Sequence, residues 1–453
     1  MEEKKKNNKI ILAVIGIIMI LGIIGGVTYA YFNAQAESEV VTITSGSMKI
    51  KFTDGELINA TDIEPIKESE ILTKATKKSF GISKESSSGT NMYARIDLTD
   101  LEVSENFQNY DLKWALYEGS TKITTGSFVT TSDGSDSINM ATNVLIDSTV
   151  EKNYNLYIWI QETGVDQSEM MSGSISGKIT VTGEKDKLNT LASNILSIEP
   201  KNNPTFGKVE EGLFVQKEDN TKSNYGFPTY YYRGAVTNNY VLFAGQTWRI
   251  MRINEDGSIR MITQNGIGQF LFDENDNCEW IEDDIEGYYS NCNTNYLTAT
   301  IKNRVDTWYA SKIIGNNNSN VIIGSFCNDT TNTAYKRYPY YSGDETFAPQ
   351  FTCSKNANHF NSKAGLITAD EIVYLSSESD EFSYQTFLEN GTDWWTMTSW
   401  KYSDLFLWSY TNGSLLEVQM MDTPLNTRPV INLKSDVLVS SGNGTSSSPY
   451  VVQ

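Results

Sequence analysis

Histidine is almost missing from this chain: His359 is the one histidine among 453 residues. A zinc protease of the His-Glu-x-x-His kind is therefore excluded, and a histidine-assisted serine nucleophile would have to use His359. That residue lies in Lys355-Asn356-Ala357-Asn358-His359-Phe360-Asn361, which reads as a solvated polar loop. Gly-x-Ser-x-Gly, a phosphate-binding loop and a dinucleotide fingerprint are also missing. Basic residues are in the minority: 36 Lys and Arg face 56 Asp and Glu, for a net charge of −20. Such a surface repels nucleic acid and anionic lipid, so neither is expected as a partner. No cofactor is implied, and the chain reads as non-enzymatic. A carboxylate-based enzyme acting on cell-wall glycan is the distant alternative, since a glycosidase needs no histidine. Runs such as Glu282-Asp283-Asp284 are ordinarily solvated faces.

Cysteine is scarce and clustered. Cys278, Cys292, Cys327 and Cys353 are all there are, with no Cys-x-x-Cys pair to suggest zinc. An even count outside the cytoplasm suggests two disulfides, with three connectivities possible. Sequential pairing, Cys278–Cys292 and Cys327–Cys353, is preferred because both bridges staple loop-rich segments. Each would contribute roughly 3 kcal/mol in the chain-entropy account.

Charge is wholly lacking from Ile10 to Phe32, directly after the lysine-bearing residues 1–9. At about 1.5 Å per residue this run reaches roughly 35 Å, enough to cross a hydrocarbon core of about 30 Å. Lys4, Lys5, Lys6 and Lys9 hold the start in the cytoplasm, leaving the remainder outside. The segment reads as a transmembrane anchor or as a secretory signal cleaved between Ala30 and Tyr31. The expected location is the cell membrane with an extracellular C-terminal part, or the medium.

Beyond the apolar run the chain is rich in alternation. Residues 37–183 carry period-2 patterns at Val41 to Phe52, Met92 to Leu98, Tyr154 to Ile160 and Ile175 to Val181, separated by Gly, Asn, Asp and Ser clusters. Short strands at this spacing predict an all-β sandwich. Residues 184–205 read as a linker with a short possible helix from Leu188 to Ile198. Residues 206–453 mix patterns and predict an α+β domain. Two alternating strands flank Asn254-Glu255-Asp256-Gly257, a strong hairpin signal. A helix is expected over 297–313 because Ile301, Val305, Trp308 and Tyr309 share a face, and a second at Thr368-Ala369-Asp370-Glu371, a capping box.

Gly25-Gly26-Val27-Thr28-Tyr29-Ala30-Tyr31-Phe32, Thr44-Ser45-Gly46-Ser47-Met48-Lys49-Ile50, Ile158-Trp159-Ile160-Gln161-Glu162 and Gly177-Lys178-Ile179-Thr180-Val181 resemble the TasA/camelysin family of Gram-positive surface and secreted proteins. The resemblance covers about a third of the chain. It implies a jelly-roll sandwich, signal removal, and self-assembly into matrix fibres by β-strand addition. Some members are called metalloproteases, a label this histidine-poor chain does not suit. The long C-terminal extension is a departure from that family.

Tyr232-Arg233-Gly234-Ala235, Trp248-Arg249-Ile250, Gly365-Leu366-Ile367-Thr368-Ala369-Asp370-Glu371, Trp395-Thr396-Met397, Arg428-Pro429-Val430-Ile431-Asn432-Leu433 and the closing 442–452 resemble a C-type-lectin-like domain of unknown function recurring in Gram-positive surface proteins. No activity comes with that resemblance. A glycan or a surface protein is the expected partner. Trp394, Trp395, Trp400 and Tyr402 are candidate ligand contacts, because aromatic rings offer stacking faces. Asp273, Asn275 and Asn277 resemble the start of a calcium loop, although Cys278 stands where its glycine belongs. Arg428 is read as a structural ion-pair partner. The expected function is adhesion or extracellular-matrix assembly at the bacterial surface, with a secreted fibre subunit as the alternative.

Overall fold

The computed structural model describes residues 40–45, 48–54, 58–61, 63–85, 91–108, 111–128, 137–164, 166–202, 204, 209–216, 228–275, 279–281, 288–290, 293, 295–315, 317–328, 351, 358–380, 383–399, 406–411, 414–420 and 423–452. Ile10–Phe32 and the Ala30–Tyr31 cleavage candidate lie outside these. Among the described residues no helix is long and apolar enough to cross a membrane.

Residues 40–184 form two sheets. One contains β1 (Val40–Ser45), β2 (Met48–Asp54), β4 (Pro65–Ile66), β5 (Thr76–Lys84), β7 (Leu112–Glu118), β8 (Thr121–Ser127) and β10 (Lys152–Gln161). Its order is β1-β2-β5-β10-β7-β8, with β4 added in parallel to β10. The other runs β3-β11-β6-β9, from β3 (Ile58–Thr61), β6 (Met92–Val103), β9 (Ile138–Ile146) and β11 (Ser174–Glu184). Alternation dictates the sandwich. Ile96, Leu98, Ile179 and Val181 of the smaller sheet share a core with Phe52, Phe80, Leu116, Leu156 and Ile158 of the larger. Each such side chain contributes about 1.5–3 kcal/mol on burial. Tyr117, Tyr157 and Trp159 point the other way, and Ile66 and Ile71 pack on them from outside the sandwich core.

Residues 190–452 build a second, mostly β unit with its own core. Its largest sheet runs through β12 (Lys201–Asn202), β13 (Gly212–Gln216), β14 (Thr229–Arg233), β16 (Gln246–Ile253) and β15 (Tyr240–Phe243). Tyr450–Val452 extends it beyond β15, and β17 (Ile259–Thr263) pairs β16 on one side and Val430–Leu433 on the other. The β16–β17 hairpin forms where expected: Gly257 takes φ +78° at its turn, and Ser258 N donates to Asp256 Oδ1 at 2.9 Å. The expected first helix spans Thr300–Lys312 and buries Ile301, Val305 and Tyr309. The second spans Ala369–Leu375 with the Thr368–Glu371 capping box intact.

Two expectations change. Within the 184–205 connection, residues 190–195 pack onto the second unit: Thr190 caps a helix Leu191–Ile195, and Leu191 and Ile195 are fully buried in its core. His359 sits in a strand, Asn358–Ser362, with its backbone opposite Cys327, because that strand pairs with Gly324–Asn328. Cys327 is disulfide-bonded. Cys278, Cys292 and Cys353, and with them the expected pairing, lie outside the described residues.

Candidate functional site

Trp394 and Trp395 are fully buried, so neither can stack on a ligand from solvent. They lie in the strand Trp394–Ser399, every residue of which is buried. Trp395 Nε1 donates to Phe270 O at 2.9 Å, and the Arg428 guanidinium lies 4.9 Å from the Trp394 ring centroid. Both faces of this strand are covered, which the aromatic density alone did not reveal. Trp400 and Tyr402 lie outside the described residues.

Asp273 is buried and its carboxylate is occupied by the protein. Oδ1 accepts from Asn275 N at 3.1 Å and Thr300 N at 3.2 Å, and Oδ2 accepts from Asn293 Nδ2 at 2.6 Å. It therefore caps the helix that begins at Thr300, a role that uses the oxygens a calcium ion would need. Asn275 joins through its backbone, and Asn277 lies outside the described residues. Among the described residues no three His, Cys, Asp or Glu side chains gather as a metal site.

The second unit instead holds a buried arginine framework. Arg428 Nε donates to Thr263 O at 2.8 Å and Nη1 to Leu388 O at 2.5 Å, which makes it a structural residue of the core. Arg233 Nη1 donates to Val373 O and Tyr374 O, and Arg249 to Val236 O, Phe387 O and Asn239 Oδ1. Burial pushes the Arg249 guanidinium down to about 10, which leaves it charged at neutral pH. Glu371 is shared: its Oε1 lies 2.6 Å from Arg252 Nη1 and 2.7 Å from Arg260 Nε. Burial pushes the Glu371 carboxyl up, but Arg260, Arg252 and the Thr368 N–H outweigh it and hold it below its ordinary value.

Where the two units meet, polar groups line a cleft. Lys113 Nζ of β7 lies 3.2 Å from Glu255 Oε1, and both side chains are buried. Arg95 of β6 joins Asp97 at 2.7 Å on its own side to Asp436 at 2.5 Å across the cleft. Asn139 donates to Asp97 at 2.9 Å and accepts from Ser435 Oγ at 3.0 Å. Asn143, at φ +63°, clips the connection by donating to Leu188 O and accepting from Leu188 N. Gly126 lets the hairpin tip approach, since a Cβ there would lie 2.8 Å from Trp114 and 3.0 Å from Asp256 Cβ.

Adjoining cavities lie in this cleft. The first, bounded by Arg95, Trp114, Asn139, Asp256, Lys434 and Asp436, leaves about 70 Å³ for the centres of water-sized molecules. The second, bounded by Arg252, Glu255, Arg260 and Asn432, leaves about 30 Å³. Both have room for ordered water among polar partners. This cleft was not anticipated from sequence. Its one signal was a pair of acidic residues at the tip of a hairpin whose other charged residues are arginines. No family model matches this chain, nor does any curated protein or solved structure.

Proposed function

We infer that this chain is a bacterial cell-surface protein for adhesion or matrix assembly, displaying two joined β-rich domains outside the membrane. The first is read as a TasA-like jelly roll (37–183) and the second as a lectin-like domain (206–453) that binds glycan or a surface protein. The observation that carries the reading is the bonded state of Cys327, because disulfides persist in oxidising, extracytoplasmic surroundings. The apolar run 10–32 supports the same compartment. With Trp394 and Trp395 committed to the core, ligand contact is assigned to Trp400 and Tyr402, which come directly after the buried strand in sequence. The test is binding of the full chain to a broad panel of glycans and surface proteins. Capture of one class, lost in Trp400→Ala and Tyr402→Ala, is expected. No binding across the panel overturns the reading.

A secreted, fibre-forming subunit is the second reading. It is favoured by β1, which among the described strands lies at the edge of the larger sheet, paired with β2. An edge strand of this kind can be exchanged with a neighbour. The N-terminal residue of the native protein decides between them. Tyr31 as the first residue in the medium favours the fibre, and an intact chain confined to membranes favours the tethered adhesin.

A further inference from the structure

The two units do not share an apolar core, since the sandwich cluster and the C-terminal cluster have no residue in common. They meet through charge, and the centre of that meeting is the hairpin tip Asn254–Gly257. Glu255 is 7% exposed there and Asp256 is half-buried beside it. Lys113 faces Glu255 from β7 at 3.2 Å. Glu68, itself 2.6 Å from Lys122, faces the tip from the turn Glu68–Glu70 and adds a like charge.

The other nearby cations have carboxylates of their own. Arg252 and Arg260 pair with Glu371, and Arg95 pairs with Asp97 and Asp436. Lys434 lines the first cavity on the Asp436 side. Glu255 Oε2 is buried and makes no hydrogen bond to any described residue. The tip thus carries two adjacent carboxylates into a contact where, among the described residues, Lys113 is the ammonium within ion-pair distance.

The geometry points to a proton-dependent clasp: the 254–257 tip holds the N-terminal domain most tightly when Glu255 or Asp256 takes up a proton, and loosens as both become charged. Taking two adjacent carboxylates from water into a contact with one ammonium beside them is costly, and Glu255 Oε2 gains no hydrogen bond there, whereas a neutral acid enters more readily. Burial pushes the Glu255 carboxyl up, with Lys113 countering only in part. Asp256 is raised for the same reason despite its bonds from Ser258, and so is Asp97 despite Arg95.

Linkage fixes the sign. Carboxyls whose values are higher docked than undocked make docking take up protons. Docking is strongest at and below the ordinary carboxylate range. It weakens as pH rises through the raised values and is level above them.

Hydrogen exchange by mass spectrometry on the full chain in detergent, between about pH 5 and about pH 8, tests this. Rates are corrected for intrinsic exchange and referenced to core amides of Ile158 and Ile431. Amides of 254–258 and 126–128 are expected to be at least about threefold better protected at the acidic end. Glu255→Gln and Asp256→Asn each flatten that profile while the reference amides keep their protection. Asp256→Asn, at a half-buried position, serves if Glu255→Gln does not fold. Protection that is constant with pH, or greater at the alkaline end, overturns the clasp. So does a wild-type profile in the folded variants.

Discussion

Among the described residues the sandwich of 50–181 buries no arginine, whereas 191–452 buries five: Arg233, Arg249, Arg252, Arg260 and Arg428, none more than 3% exposed. Both regions had to satisfy backbone polar groups away from water. In the sandwich, long alternating strands do so for one another through their ladders, and apolar side chains fill the space between. In the second unit many strands are short and the segments between them irregular, so carbonyls are left without ladder partners. A guanidinium carries five donors in a fixed fork and can bind two such segments at once. Arg233 takes the carbonyls of a helix's last turn, and Arg249 and Arg428 each tie two separate segments. One region is held by volume and the other by volume and donors together.

The largest test of that contrast is Glu371→Gln, which leaves two buried guanidiniums without their carboxylate. A loss of about 3–5 kcal/mol is expected, read as early melting of the C-terminal domain by near-ultraviolet circular dichroism. Because the Glu371 carboxyl is held below its ordinary value, its contribution is present above the ordinary carboxylate range and disappears as pH falls through the depressed value. Acid thus weakens this domain while tightening the clasp, so the two effects separate in one titration.

Next in size is reduction of the disulfide at Cys327. A loss of about 2–5 kcal/mol confined to the C-terminal domain is expected, with the first transition of the sandwich unmoved in differential scanning calorimetry. Arg249→Lys ranks third: one ammonium cannot reach the Val236 and Phe387 carbonyls and Asn239 together, and about 1–3 kcal/mol is lost on denaturant unfolding. The smallest effect belongs to Ile96→Val in the sandwich, about 0.5–1.5 kcal/mol by the same measurement. If Arg249→Lys costs no more than Ile96→Val, the contrast between the two regions fails.

Legibility in the sequence tracked the strength of local periodicity. β6 and β10 could be read directly because every second residue is apolar, and the Asp256-Gly257 hairpin and Thr368–Glu371 capping box are complete within a few residues. Features that depend on two covered faces were hidden. Trp394 and Trp395 were candidate ligand contacts for their stacking faces, and alternation would have left one of them outward, yet that strand is buried on both sides. Leu191 and Ile195 fall in a segment read as a short helix, but its packing could not be read, because they are buried with partners more than two hundred residues away, such as Val437. The arginines offered one signal: Arg249, Arg252 and Arg260 interrupt runs that are otherwise apolar on both faces, where only a buried cation fits. The clasp gave almost none, because Lys113 and Glu255 are 142 residues apart.

The connection between the domains also sets a mechanical order. Tension drawn along the chain from Glu184 first reaches Leu188, held at both its N–H and its carbonyl by Asn143. Beyond it, residues 189–191 are laced to 437–439 by Leu191 N to Val437 O at 2.9 Å, Val439 N to Asn189 O at 2.8 Å, and Asn189 Nδ2 to Val439 O at 2.7 Å. Only after that lacing does the load come to Leu191 and Ile195 in the core. Along the chain a side-chain latch therefore precedes a backbone seam, and the seam precedes the buried anchors of the second unit.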